Sequence, residues 1–128
     1  MKVCLIDNMN NNFFAISRYF RDLGVDCDLY LIPDAKEDHF APEEDTFSEV
    51  QDADWIKVFP LEYNYQSFVF KKNKILNILN SYDYIISCGL SLGLIKKYGF
   101  VADLFIPYGS DLYDVPFFRF PSISKPLS

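Results

Sequence analysis

Short apolar segments alternate with helix-like segments along most of this chain, and this alternation restricts the fold more than any other feature. The apolar segments are five to seven residues long and rich in β-forming residues. Between them, apolar residues recur every three to four positions, as on one face of an amphipathic helix. The predicted strands are KVCLID (2–7), DCDLYLI (26–32), WIKVF (55–59), DYIISC (83–88) and DLFIPY (103–108).

Three helices are predicted, at residues 13–24, 65–82 and 91–98. The first helix has Asn12 as its N-cap and ends at Gly24, because glycine accepts the left-handed conformation just past a helix. Its predicted buried face consists of Phe13, Ile16, Phe20 and Leu23.

Strands that alternate with helices indicate a parallel sheet with right-handed crossovers. Near-continuous apolar strands such as VCLI and YIIS indicate a sheet covered on both faces. The sequence therefore predicts an α/β fold, a Rossmann-like three-layer sandwich with a five-stranded parallel sheet in the order 3-2-1-4-5. A flavodoxin-like order, 2-1-3-4-5, is the alternative. Residues 1–115 form the predicted domain, and residues 116–128, which contain three prolines, form a predicted linker.

Composition excludes several classes of partner. The chain has 128 residues, which suits one domain, and a formal net charge of −6, which repels nucleic acid. The three cysteines lie in or beside apolar strands, so we expect buried free thiols in a reducing compartment. With one histidine and no Cys-x-x-Cys pair, a zinc site has too few ligands, and no metal is predicted.

We expect a cytoplasmic protein, because neither a signal peptide nor an apolar run of about 18 residues is present; membrane association stays open. No dinucleotide fingerprint follows the first strand and there is no Walker A sequence, so no cofactor is predicted. Residues 33–54 hold nine of the 18 acidic residues and are interpreted as a solvated surface segment. The lone histidine, His39, is interpreted as solvated with it.

Three polar or glycine-containing segments follow predicted strands. In open α/β sheets, ligands bind beyond the carboxyl ends of the strands, where the strand order reverses. We therefore expect these segments to meet at one edge of the sheet. The predicted substrate-binding residues are Asn8, Asn10, Asn11, Gly89, Ser91, Tyr108, Gly109, Ser110 and Asp111.

Each segment has a simpler interpretation as a turn. Asparagines tolerate left-handed backbone and bond locally, and Gly109-Ser110-Asp111 is a good turn sequence. Ser91 is the predicted N-cap of the third helix, whose N-terminus could hold an anion. Asp7 is not accompanied by the second acidic residue that a phospho-receiver carries near the end of its first strand. The Asp-x-Asp pattern of aspartyl phosphatases is also missing, because Met9 stands where its second aspartate would be. Cys88 ends a strand, but the sequence supplies no base to activate it.

The chain resembles the N-terminal domain of GT-B glycosyltransferases of the retaining family-4 type. Four segments carry the resemblance: KVCLIDN at the N-terminus, DHFAPEEDTF (38–47), YDYIISCGLS (82–91) and IPYGSDL (106–112), which is similar to the family's P-H-G-S-D turn. The first loop departs from the family in having asparagines instead of glycines. The late turn departs from it in having Tyr108 where many members place a histidine.

The resemblance implies half an enzyme. In the family, the N-terminal half binds the acceptor, and a C-terminal half binds the nucleotide-sugar. The expected function is the acceptor-binding half of a bacterial glycosyltransferase, inactive alone, that reaches the nucleotide-sugar only through a C-terminal domain absent from this chain. The resemblance names no catalytic residue here. The alternative is a self-contained flavodoxin-like or receiver-like module that binds a small ligand. A third interpretation is an interaction domain that uses Phe117, Phe118 and Phe120.

Overall fold

A computed structural model describes residues 1–33, 41–46, 50–60, 68–89 and 91–109, without the side chains of Gln51 and of residues 68–71. His39, Ser110, Asp111 and the predicted linker therefore lie outside the described residues. The strands are β1 (Lys2–Ile6), β2 (Asp26–Leu31), β3 (Ile56–Val58), β4 (Tyr84–Ser87) and β5 (Leu104–Phe105). The helices are α1 (Asn12–Asp22), α2 (Phe68–Asn80) and α3 (Ser91–Lys97), with 3-10 turns at Met9–Asn11, Pro42–Glu44 and Val50–Asp52.

All five strands are parallel and lie in the order β3-β2-β1-β4-β5. This confirms the predicted α/β Rossmann-like arrangement, and the flavodoxin-like order is wrong. Strand β1 is central, and the chain moves outward from it first through β2 and β3 and then through β4 and β5. The carboxyl ends of β1 and β4 therefore flank the point at which the strand order reverses.

Two apolar clusters cover the two faces of the sheet. On one face, Phe13 and Phe14 of α1 pack with Leu5, Leu29 and Trp55. The opposite face carries the cluster that includes Ile75 and Leu79 of α2 and Ile95 of α3. The strands supply both clusters because successive side chains alternate between the faces. The three cysteines are free and buried, as predicted.

Helix α1 ends as predicted, and three of the four residues of its predicted face, Phe13, Ile16 and Phe20, pack in or against the core. Gly24 has φ +79°, and Val25 N donates to Phe20 O at 2.9 Å, which is the bonding of a Schellman end. Leu23, however, is 79% exposed, so its predicted burial is wrong. Ser17 and Phe14 are buried in addition, and the Phe14 ring stacks on Trp55, just before β3, with centroids 5.8 Å apart.

Strand β5 is shorter than the predicted segment 103–108. Ile106 N still donates to Ser87 O at 2.9 Å, so one hydrogen bond of the pairing with β4 continues past the end of the strand. Tyr108 then packs against the α1-side cluster. Within the described residues, no helix is long and apolar enough to cross a membrane.

A buried polar group ties β2 to β3 near the amino ends of the strands. Asp28, only 4% exposed, accepts hydrogen bonds from Lys57 Nζ at 2.7 Å and from the Tyr82 hydroxyl at 2.5 Å. Burial, followed by these bonds, raises the pKa of Tyr82 far above its ordinary value. Burial lowers the pKa of Lys57, but the bond to Asp28 and its charge outweigh that effect and raise it overall. Asp28 is therefore a satisfied structural carboxylate.

Candidate functional site

The β1–α1 loop begins with a left-handed turn directly after β1. Asp7 N donates to Tyr30 O at 2.8 Å, which extends the pairing of β1 with β2 by one residue. Asp7 itself has φ +79°, a conformation that costs energy for a residue with a Cβ atom. Its Oδ1 accepts a bond from Asn8 N at 2.8 Å, which holds the turn closed.

Asn8 and Asn11, two of the three asparagines predicted to bind substrate, use their side-chain amides to hold this loop together instead of presenting them to a ligand. Asn8 is 8% exposed, and its Oδ1 accepts a bond from Phe14 N at 2.9 Å, so it caps α1 from six residues away. Its Nδ2 donates to Asn11 Oδ1 at 2.8 Å, and Asn11 Nδ2 donates to Ala41 O at 2.9 Å. The prediction that Asn12 is the N-cap is wrong, because Asn12 is already the first residue of α1.

Asn10 differs from its neighbours because its side chain is exposed. Its backbone has φ 52° and ψ 35°, which interrupts the 3-10 turn. Among the residues that the structure describes, nothing hydrogen-bonds its amide. Asn10 therefore offers both a donor and an acceptor at the mouth of the loop.

The β4–α3 turn lies directly against this loop. Gly89 has φ +53°, and a Cβ atom added there would be 3.4 Å from Asp7 Oδ2 and 3.7 Å from Met9 Cε. The predicted meeting of the two loops is therefore seen in the structure.

Ser91 supports the contact between the two loops from its buried side. It is 3% exposed, and its hydroxyl lies 2.5 Å from Cys88 O and 3.2 Å from Ile6 O. Both neighbours are acceptors, so Ser91 donates to strand ends instead of capping the helix, and its predicted N-cap role is wrong. It holds the first turn of α3 on the ends of β1 and β4.

The end of β5 reaches the same edge through an aromatic contact. The Tyr108 ring meets Phe13, in the first turn of α1, edge to face with centroids 5.9 Å apart. The Tyr108 hydroxyl oxygen is buried. Gly109 follows with φ +115°, and the space where its Cβ would lie is open. Ser110 and Asp111, the remaining predicted site residues, are outside the described part of the chain.

Unusual backbone conformations concentrate at this edge. Of seven described residues with positive φ, Gly24 and Gly99 end helices, as glycine commonly does. The other five belong to the three converging segments. Three of them are not glycine, and left-handed backbone at such residues is enriched at ligand sites, where the surrounding structure maintains it. The five are Asp7, Asn10, Asn11, Gly89 and Gly109.

Sequence reasoning missed the acidic segment that borders the site. Residues 41–46 are attached to the β1–α1 loop by the Asn11 bond and to α1 by Arg18, whose Nη1 lies 3.4 Å from Asp45 Oδ1. Glu43 and Glu44 are exposed there, and Glu44 Oε2 accepts a bond from Ala41 N at 2.9 Å. Glu43 and Glu44 are solvated as predicted, whereas Asp45 is partly buried and paired with Arg18. A long loop gives no signal of where it folds back.

The site has few groups suited to covalent or metal chemistry. Cys88 is fully buried, with Sγ 3.9 Å from Ile6 O, and is therefore not presented to a substrate as a nucleophile. Among the described residues, no group of three potential ligands could hold a metal ion. Residues 7–11, 41–46, 88–89 and 107–109 contain no lysine, arginine or histidine. The described edge thus offers amides, carboxylates and backbone groups to a neutral polar ligand.

No protein-family model, no curated protein and no solved structure matches this chain. A function must therefore be inferred from the residues at the carboxyl edge and from their chemistry.

Proposed function

We propose that this chain is the acceptor-binding half of a bacterial glycosyltransferase, which transfers a sugar from a nucleotide-sugar to a glycan or lipid-linked acceptor. The observation that carries the proposal is the convergence of three segments at the carboxyl edge. Gly89 lies against Asp7, and Tyr108 lies against Phe13 at the start of α1. The segments bear the residues through which the sequence resembles the N-terminal domain of the GT-B enzymes.

The chemistry of the edge favours a sugar over a nucleotide. Hydroxyl groups of a sugar need both donors and acceptors, which the exposed Asn10 amide and the neighbouring carboxylates supply. A diphosphate instead needs cations or a free helix N-terminus. The described edge segments contain no cationic residue. The Phe14 amide, in the first turn of α1, already donates to the Asn8 side chain. The donor nucleotide is therefore expected on the C-terminal half of a complete enzyme, and this chain alone should not transfer sugar.

The test is a titration of the ¹⁵N-labelled chain with neutral methyl glycosides, with UDP and with FMN. We expect a glycoside to shift the amide signals of Asn10, Gly89 and Gly109, and UDP to leave them unchanged. The matched variants are Asn10→Gly, which keeps the left-handed backbone but removes the amide, and Asn73→Ala on the exposed face of α2. Asn10→Gly should weaken glycoside binding by about tenfold, the effect of one or two lost hydrogen bonds. Asn73→Ala should leave it unchanged.

The alternative is a self-contained module for a small ligand. The observed strand order removes its flavodoxin-like form. Binding of UDP or FMN at Asn10 and Gly89, with no response to any glycoside, would contradict the acceptor-domain proposal and favour this alternative.

A further inference from the structure

The β1–α1 loop brings a methionine side chain to the candidate site. Met9 begins the 3-10 turn that follows β1. Its side chain is half-buried and packs against the α1-side core. Its methyl carbon, Cε, lies 3.7 Å from the position that a Cβ atom on Gly89 would occupy. Met9 therefore reaches from the first loop to the β4–α3 turn, and the exposed Asn10 is its neighbour in the chain.

An apolar group and a polar group meet beside Gly89. Apart from the chain neighbours of Gly89, the described atoms within 4 Å of its Cβ position are Met9 Cε and, at 3.4 Å, Asp7 Oδ2. A methyl group and a carboxylate oxygen thus lie close together at this edge. A sugar ring needs that combination, because its hydroxyl groups form hydrogen bonds and its C–H groups need apolar contact.

Other apolar side chains at this edge are less accessible to a ligand. Phe13, Phe14 and Cys88 are fully buried. The hydroxyl oxygen of Tyr108 is buried as well, and its ring meets Phe13 edge to face. The Met9 side chain is half-buried instead, and methionine is unbranched and polarisable, so it adapts to the surface that it contacts. Met9 is therefore well placed to give the site an apolar surface.

We propose that Met9 is a ligand-binding residue, and that the C–H face of the acceptor's sugar ring lies on its side chain. This inference rests on the proposed function and specifies the ligand, which is a cyclic sugar and not an open-chain polyol. A pyranose ring presents several C–H groups on one face, whereas an open-chain polyol turns its hydroxyl groups in all directions. Asn10 then bonds hydroxyl groups at the rim of the ring.

Methyl-group NMR tests this in the unmodified chain. The chain has two methionines, so labelling with ¹³C-methyl methionine gives one signal at the site, from Met9, and one reference signal, from Met1. Met1 is 72% exposed and precedes β1, whereas Met9 follows it, so about 15 Å of strand separates them. A methyl glycoside should shift the Met9 methyl signal, show nuclear Overhauser contacts between that methyl group and ring C–H protons, and leave the Met1 signal unchanged. Sorbitol, an open-chain polyol, should do neither.

Two substitutions distinguish an apolar contact from side-chain size. Met9→Leu keeps an apolar side chain and should change glycoside affinity by less than about twofold. Met9→Gln keeps the length but adds a polar amide, and should weaken binding by about fivefold through the lost apolar contact. Ile78→Gln is the matched control, because Ile78 is also half-buried but packs against the cluster on the opposite face of the sheet. It should leave the affinity unchanged, and circular dichroism checks that each variant is folded.

Three results would overturn this inference while the proposed function stands. One is a glycoside that shifts the Asn10 and Gly89 amide signals but neither shifts nor contacts the Met9 methyl group. Another is an equal loss of affinity in Met9→Gln and Ile78→Gln, because stability and not contact would then be the cause. The third is sorbitol that contacts Met9 as the glycosides do. If no glycoside shifts any amide signal of the edge, the proposed function fails and this inference fails with it.

Discussion

Gly89 lies so close to Asp7 that a side chain at position 89 would touch the Asp7 carboxylate, 3.4 Å from Oδ2. Both residues have positive φ, although only one is glycine. The ends of β1 and β4 are thus joined by a contact between two turns with positive φ, of which only the one at Asp7 is strained. A change on either side should affect both the folding and the binding properties of the edge.

Gly89→Ala should destabilise the protein by about 1–2 kcal/mol, the cost of a left-handed alanine, and should weaken glycoside binding as the Asp7 turn is displaced. Gly24→Ala is the matched control, since Gly24 has φ +79° with nothing within 4 Å of its Cβ position. It should cost similar stability and leave binding unchanged. Urea unfolding and the glycoside titration measure the two effects. Equal affinities for both variants would contradict the assignment of Gly89 to the site.

Asn8→Ala should destabilise the protein by about 1–2 kcal/mol, because it removes the cap on Phe14 N and the bond to Asn11. Asn12→Ala, at an exposed position in the same helix turn, should cost little. Urea denaturation of both variants measures the difference. If Asn12→Ala is the more damaging change, the capping role belongs to Asn12 as the sequence alone predicted.

Lys57→Met should destabilise the protein by about 2–3 kcal/mol, because it leaves the buried Asp28 carboxylate without its cation. We expect less than the full effect of a buried pair, because the Lys57 side chain is 39% exposed. Adding Asp28→Asn should recover part of the loss, since the uncompensated charge is then gone. A double-mutant cycle by chemical denaturation measures the coupling. Strict additivity would show that the ion pair contributes nothing.

Stability should fall as the pH rises above 9. Burial raises the pKa of the Cys27 thiol from 9.0 to about 11. The folded protein therefore holds this proton more tightly than the unfolded chain, and the resulting stabilisation is complete below pH 9 and is lost between about pH 9 and 11. Melting temperatures across this range measure the loss. Cys27→Ala should have a shallower slope, and an unchanged slope would assign the effect to other groups.

The strand order was predictable because the apolar segments and their spacing are properties of the local sequence. The buried face of α1 was predictable in part. Periodicity correctly grouped Phe13 with Phe20, but Leu23 lies just past the end of the helix and is exposed. The burial of Phe14 depends on Trp55, more than 30 residues away.

The location of the site was predictable from the sequence, but the contacts within it were not. Fold topology alone brings Asp7, Gly89 and Tyr108 to one edge of the sheet. It does not tell which asparagine serves the backbone, because Asn8 reaches Phe14 only through a 3-10 turn with left-handed residues. Nor does it reveal that residues 41–46 return to Asn11, since a hydrogen bond to a main-chain oxygen leaves no trace in composition.

The hydrogen bond from Asn11 to Ala41 O has a consequence for the substitutions that the protein can accept during evolution. Asn11 Nδ2 donates to the main-chain carbonyl oxygen of Ala41, an atom that every amino acid possesses. Substitutions at the exposed positions Glu43 and Thr46 therefore leave this attachment intact. The border of the edge can acquire new charge or shape while the sheet and α1 keep their packing. In directed evolution toward a different ligand, a library randomised at Glu43 and Thr46 should therefore retain many folded members.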